Sequence, residues 1–250
     1  MKKIVFTSQH TCNNFVLPVS IISSALLRLI ALFIFITSFL LTGVCTNAQV
    51  NDDQKAAEYK KIINERSAKI VNTLGINDSD RYNKVLAEIS NQYFSLNSIH
   101  EQQQAVIASI KGQSLDKAQT DQAIQSHQKK KAELLKQQHS AFISHLKELL
   151  TEEQVEKVKN GMTYNVLNVT YAAYLDMLLN LTDEQKQKIY NWLVEARELA
   201  MDEGSSDDKH KMFGKYKGRI NNYLSSQGYD MKAEEKAWQQ RIRERKEMQH

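Results

Sequence analysis

The stretch ELLTEEQVEKVKNGMTY, residues 148–164, contains the phrase LTEEQ, and the phrase returns at 181–185 as LTDEQ. A threonine ahead of a helical run accepts a hydrogen bond from a free amide of the first turn, while a Gln three residues on reaches back to the threonine's own amide. Thr151 with Gln154 and Thr182 with Gln185 fit this capping box, so each copy marks a helix start. Leu150 and Val155 are spaced to clasp each other across the first cap; the second copy has Lys186 in the place of Val155. The phrase therefore reads as helix punctuation.

Working outward, glycines mark helix ends. A helix-forming pattern from Asp53 to Leu74 stops at Gly75, a residue suited to the left-handed conformation of a helix end. A second helix is predicted from after Asn77 to Lys111, before Gly112, with near-heptad rows Tyr82, Ile89, Leu96, Ile110 and Leu86, Tyr93, Ile107. The short link Gly112–Ser114 leads into a third, Leu115 to Leu150, whose apolar stripe is Leu135, Phe142, Leu146 and Leu149. Short links make antiparallel neighbours, so 78–150 should form a helical hairpin. Between Ala118 and Ala132 large apolar residues are scarce and Gln and Lys abundant, so that part should protrude into solvent. The expected fold is all-α: a multi-helix bundle with a long protruding antiparallel helical hairpin and an aromatic-rich helical part over 161–250.

The first 48 residues differ from the rest: they hold no Asp or Glu, three basic residues (Lys2, Lys3, Arg28) and an apolar run from Leu29 to Leu41. That is the pattern of a signal peptide. Thr46-Asn47-Ala48 offers small residues where a signal peptidase reads, so cleavage is expected after Ala48; lipid attachment at Cys45 is the lesser alternative, because Val44 is bulky. The remaining chain, 49–250, is read as one periplasmic or secreted domain without membrane attachment. Cys12, Cys45 and Pro18 all fall in the leader. A disulfide framework and thiol chemistry are thereby excluded. The leader also carries three of the 33 basic residues and none of the 29 acidic ones. What remains is nearly neutral, and bulk attraction to nucleic acid is not indicated.

Of fifteen aromatic residues after the leader, ten lie beyond residue 160, which makes that half the better binding candidate. Tyr164, Tyr171 and Trp192 belong to it. The stretch HKMFGKYKGRINNYLSSQGYD, 210–230, reads as a helix with the core face Phe213, Tyr216, Ile220, Tyr223 and Leu224. Gly214, Gly218, Asn221 and Ser225 share another face, and two glycines inside a helix point to a close approach by a neighbouring helix or a ligand. Lys209, Lys211, Lys215, Lys217 and Arg219 put five cations into eleven residues around His210. Cations pair with carboxylates and aromatic faces stack on sugars, so His210, Lys215, Tyr216, Lys217 and Arg219, with Asn222, Tyr223 and Tyr229, are candidate ligand contacts. The alternative is a solvated helix face.

Catalytic signatures are missing: there is no nucleophile elbow, HExxH, P-loop or dinucleotide fingerprint. Asp202, Glu203, Asp207 and Asp208 lack calcium-loop spacing and read as a loop around Gly204 and the start of the next helix. His100 and His127 fall level when the hairpin is folded about its turn, but with no third ligand in view no metal and no cofactor is expected. The run Arg241–Lys246 reads as an exposed, fraying tail.

Three blocks, INERSAKIVNTLGI (63–76), KVKNGMTYNVLNVTYAAYLDML (157–178) and WLVEARELAMDEGSSDDKHKMFGKYKGRINNYLSSQGYD (192–230), resemble the secreted Bacteroidota proteins of domain-of-unknown-function family 3826. The resemblance covers nearly the whole chain after the leader, departing from the family's prolines near Asn168 and Asn180. It implies a sugar-binding protein found beside enzymes that dismantle plant polysaccharides, with no established reaction. The leading expectation is a periplasmic binder of an acidic plant glycan, accessory to its use. A lyase or esterase, and a periplasmic chaperone of the LTxxQ type, are the alternatives.

Overall fold

The computed structural model describes residues 54–248. The expected leader, its cleavage after Ala48 and the alternative lipid attachment at Cys45 lie outside the described residues. Within them the chain is helical, with no strand. Helix α1 covers 54–71 of the described residues. It is followed by α2 (Ser79–Lys111), α3 (Lys117–Leu149), α4 (Glu152–Met162), α5 (Val166–Met177), α6 (Asp183–Met201), α7 (Ser206–Ser226) and α8 (Met231–Glu247). No described helix is long and apolar enough to cross a membrane.

Local chemistry sets these boundaries. Both expected capping boxes form, Thr151 with Gln154 at α4 and Thr182 with Gln185 at α6, and Asp116 with Gln119 adds a third at α3. Gly75 has φ +66° after α1, as expected, whereas Gly112 ends α2 at φ −80° without the left-handed turn. Gln154 also ties elements together: its amide donates to the Leu74 carbonyl at 2.8 Å and its oxygen accepts from Arg81 at 3.2 Å.

Helices α2 and α3 pair antiparallel, as Gln138 to Gln92 (2.8 Å) and His145 to Glu88 (3.0 Å) show. From 97 to 135 only Ile110 is buried, so the outer half of the hairpin is solvated. The inner half joins α1 and α4 around Ile70, Ile89, Phe142, Leu146 and Val158. Leu150 and Val155 are buried in that same core. The seam also takes in Val85 and Gln92, one position off the expected rows, while Tyr82 and Leu86 stay at its edge. A second core, with Leu167, Ile189, Leu193, Phe213, Ile220 and Leu224, unites α5, α6 and α7. Burying each such side chain contributes roughly 1.5–3 kcal/mol. The described packing lies within 59–250, which cluster as one unit.

The C-terminal run is not a fraying tail. Arg241 donates to the carbonyls of Asp176 and Met177, both at 3.0 Å, and Arg245 pairs with the Asp176 carboxylate at 2.7 Å. Trp238 Nε1 donates to the same carboxylate at 2.6 Å. A sequence of mixed charge looks solvated, but here Arg241 satisfies carbonyls at the end of α5 and Arg245 the Asp176 carboxylate.

Candidate functional site

Where the hairpin meets α6, charges gather in mutual pairs around one buried arginine. Arg197, 2 % exposed, reaches Glu156 at 2.7 Å and Glu198 at 2.8 Å. Glu198 also takes Lys159 at 3.1 Å and His139 at 3.5 Å, and His139 Nδ1 lies 3.0 Å from Asp202. Bonds to Asp202 and Glu198 hold the His139 imidazolium up to about 9, against burial. Burial raises the Glu198 carboxyl, but His139, Arg197 and Lys159 together bring it down to about 2. His100 meets the Asp202 carbonyl at 2.8 Å, and a Cβ on Gly204 would stand 2.8 Å from its ring. His100 and His139 thus converge on Asp202. Among the described residues no group of three or more His, Cys, Asp or Glu side chains could hold a metal ion.

The five cations of 209–219 divide by role. Lys209 is buried and donates to the carbonyls of Ala200 (3.0 Å) and Met201 (2.9 Å), closing the end of α6; burial lowers its ammonium to about 8. Lys211 pairs with Asp208, and Arg219 with Glu195. The expected cationic face thus reduces to Lys215 and Lys217. The glycine face differs from expectation as well: nothing lies within 4 Å of a Cβ built on Gly214 or Gly218, so no neighbouring helix comes close.

Trp192, Tyr216, Arg219 and Tyr223 do come together, on α6 and α7. Trp192 meets Tyr223 edge-on at 5.3 Å. Lys188 stands 4.3 Å from the Tyr223 ring centre and 5.3 Å from that of Trp192, and Arg219 lies 4.5 Å from the Trp192 ring. The protein's own cations therefore cover these rings. Tyr171 packs edge-on against Tyr190, and the Tyr229 hydroxyl lies 2.9 Å from the Asn180 carbonyl and 3.0 Å from Gln185 Oε1, pinning the chain after α7 to the α6 cap. Both are framework residues. Asn222 is exposed.

Tyr164 and His210 form a different site. Helix α4 ends with the Asn165 amide bonded to the Asn160 carbonyl (2.7 Å) and the Tyr164 amide to that of Gly161 (3.3 Å). In this double closure the residue after the cap is left-handed and usually glycine. Gly228 fills that place after α7, at φ +94°, but after α4 it is Tyr164, at φ +56°, followed by Asn165 at φ +57°. Such a conformation costs a non-glycine residue about 1–3 kcal/mol. Gly161, one turn earlier, is needed for a different reason: a Cβ there would lie 2.9 Å from Ile70 Cγ1.

The Tyr164 ring, 41 % exposed, stacks on His210 at 5.6 Å and 13°. It lines a cleft of about 480 Å³ with Ile62, Glu65, Arg66, Lys69 and Thr73 of α1 and its turn. Arg66 lies 5.8 Å from the ring of buried Tyr93. Burial raises the phenol of Tyr93, partly offset by Arg66, so Tyr93 stays neutral. The arrangement offers an aromatic face, a guanidinium and an ammonium at one concave surface.

The model for a family described as protein of unknown function (DUF3826) matches residues 60–244. The chain belongs to that family. No curated protein matches it. Of the residues expected to bind a ligand in this family 3826 chain, the structure unites Tyr164 with His210 and, separately, Trp192, Tyr216, Arg219 and Tyr223. Arg66 and Lys69 went unnoticed in the sequence. Their signal was the spacing of two cations one turn apart in INERSAKIV, which looks like any solvated helix face.

Proposed function

We propose that the chain, exported to the periplasm, binds a uronate-bearing glycan in the Tyr164 cleft as an accessory to the use of plant-type polysaccharides. The observation that carries this reading is Tyr164: a half-exposed aromatic residue kept in a left-handed conformation that glycine would adopt without cost. Strain of this kind is retained where the side chain has work to do. Tyr164 supplies a stacking face for an apolar sugar face, Arg66 and Lys69 supply partners for the uronate carboxylate, and Glu65 accepts from hydroxyls. A binding role is favoured over a lyase or esterase because His139, Glu198 and Arg197 are paired with one another and not presented in this cleft.

Calorimetry with galacturonate oligosaccharides and neutral galactose oligosaccharides, at two salt concentrations, tests the reading. Acidic ligands should bind more tightly and weaken with salt, since exposed charge pairs are screened over about 8 Å at physiological ionic strength. Tyr164→Ala and Arg66→Ala should each cost about tenfold in affinity, or more, with the helical spectrum retained. Unchanged affinity in folded Tyr164→Ala, or no preference for the acidic series, would overturn it.

A further inference from the structure

The Tyr164–His210 contact stands at one end of a longer surface. Helices α5 and α7 both pack on α6 and run parallel to each other. Tyr164 meets His210 at their leading ends; ten residues on in α5, the Tyr174 hydroxyl donates to Asn221 Oδ1 at 2.7 Å, eleven residues on in α7. At 1.5 Å per residue both helices advance roughly 15 Å between these two contacts. His210, Gly214, Lys217 and Asn221 recur at the spacing of one helix face, as do Val169, Ala173 and Met177.

Beyond the first contact lies a cleft of about 510 Å³ whose floor includes Val169, Ala173 and Met177, with Lys217 and Asn221 on the α7 side and Lys232 and Trp238 from α8. It has the parts of a ligand site. The indole of Trp238 is held in place by its 2.6 Å bond to Asp176, itself fixed by Arg245. Lys217 and Lys232 form no ion pair among the described residues, unlike Lys211, Arg219 and Arg245. Glu235, also in the lining, accepts from the Gln239 amide at 3.4 Å. Between the two contacts α7 presents Gly214, where a side chain would meet nothing within 4 Å and would stand over the α7 surface.

We infer that this cleft is a second subsite for the same acidic glycan, so that a linear uronate polymer lies along α5 and α7 from Tyr164 to Trp238. The inference rests on the ligand class proposed for the Tyr164 cleft and adds chain length as a determinant. The charge of the free lysines selects a polyanionic chain, the oriented indole and apolar floor take the flat faces of its rings, and bare Gly214 leaves room for the chain to pass. Two subsites filled by one molecule raise affinity through effective concentration, without any new kind of contact.

The test measures long-chain polygalacturonate and the galacturonate disaccharide against the full mature protein and three variants: Gly214→Leu, Lys217→Ala combined with Lys232→Ala, and Tyr164→Ala. The polymer should bind at least about tenfold more tightly per chain than the disaccharide. Gly214→Leu, which lines neither cleft, should remove most of that gain and leave disaccharide affinity unchanged, and the double lysine variant should also remove most of the gain. Leucine is the better helix former, so Gly214→Leu should also raise the melting temperature, which separates lost binding from lost folding. Tyr164→Ala should weaken both ligands. A polymer that binds no better than the disaccharide, or a gain that survives both cleft variants, overturns the second subsite while leaving the first intact. Failure of both ligands to bind wild-type protein overturns the Tyr164 reading and this one with it.

Discussion

Two surfaces of the protein combine aromatic rings with cations, and they do so in opposite ways. On α6 and α7, Lys188 and Arg219 stand over Trp192, Tyr216 and Tyr223, so positive charge and ring face satisfy each other. In the Tyr164 cleft the ring packs on His210, while Arg66 and Lys69 line the wall apart from it. The first arrangement closes on itself and stabilises the fold. In the second, ring and cations stay apart, beside the left-handed backbone of Tyr164 and Asn165.

The difference is sharpest in a pair of substitutions with opposite outcomes. Trp192→Ala removes a half-buried ring and its cation contacts, and should cost about 2–3 kcal/mol of stability with glycan affinity unchanged. Tyr164→Gly should gain about 1 kcal/mol by relieving the left-handed strain, while binding is lost. Denaturant unfolding and calorimetry on the same two proteins read both quantities. If Trp192→Ala weakened binding at retained fold, the closed surface would have to be counted as part of the site.

The helices were legible in the sequence because caps, glycine stops and apolar periodicity are local signals: Thr151, Thr182 and Gly75 act where their neighbours require. Tyr164 and His210 were nameable as candidates from the density of aromatic residues and cations. Their contact was not, because it joins positions 46 residues apart in sequence through the packing of α5 and α7 on α6. For the same reason Lys209 passed for a surface charge. Nothing in its neighbours shows that it turns inward to the Ala200 and Met201 carbonyls. Arg241 and Arg245 misled for the converse reason, their partner Asp176 lying more than 60 residues away.

The charged joint beneath α6 should make stability depend on pH. Its His139 binds a proton more tightly folded than unfolded, with a value near 9 against the ordinary 6.5. The stabilisation is thus complete below about pH 6.5 and is lost as pH rises through 9, by a sum on the order of 1–2 kcal/mol after allowance for solvent screening. Lys209 works in the other direction, since its value near 8 lies below the ordinary 10.5 and stability recovers as pH rises between the two. In His139→Gln the decline between pH 6.5 and 9 should disappear. A profile unchanged by that substitution would mean that the pairs with Glu198 and Asp202 do not hold the proton.

The smallest expected effect returns to the repeated phrase. Thr151 starts α4, whose far end presents Tyr164; Thr182 starts α6, which carries Trp192. Each threonine accepts a backbone amide, from Gln154 at 3.3 Å and Gln185 at 3.2 Å, and replacing either by alanine should cost about 1 kcal/mol. Neither loss should reach the cleft, because Tyr164 is set by the Asn160–Asn165 closure at the opposite end of α4 and its partner His210 by α7. The two variants should therefore fall together in unfolding midpoint and stay together in glycan affinity. If Thr151→Ala alone weakened binding with its fold intact, the start of α4 would be part of how the cleft is shaped, and LTEEQ would differ in role from LTDEQ despite their common capping chemistry.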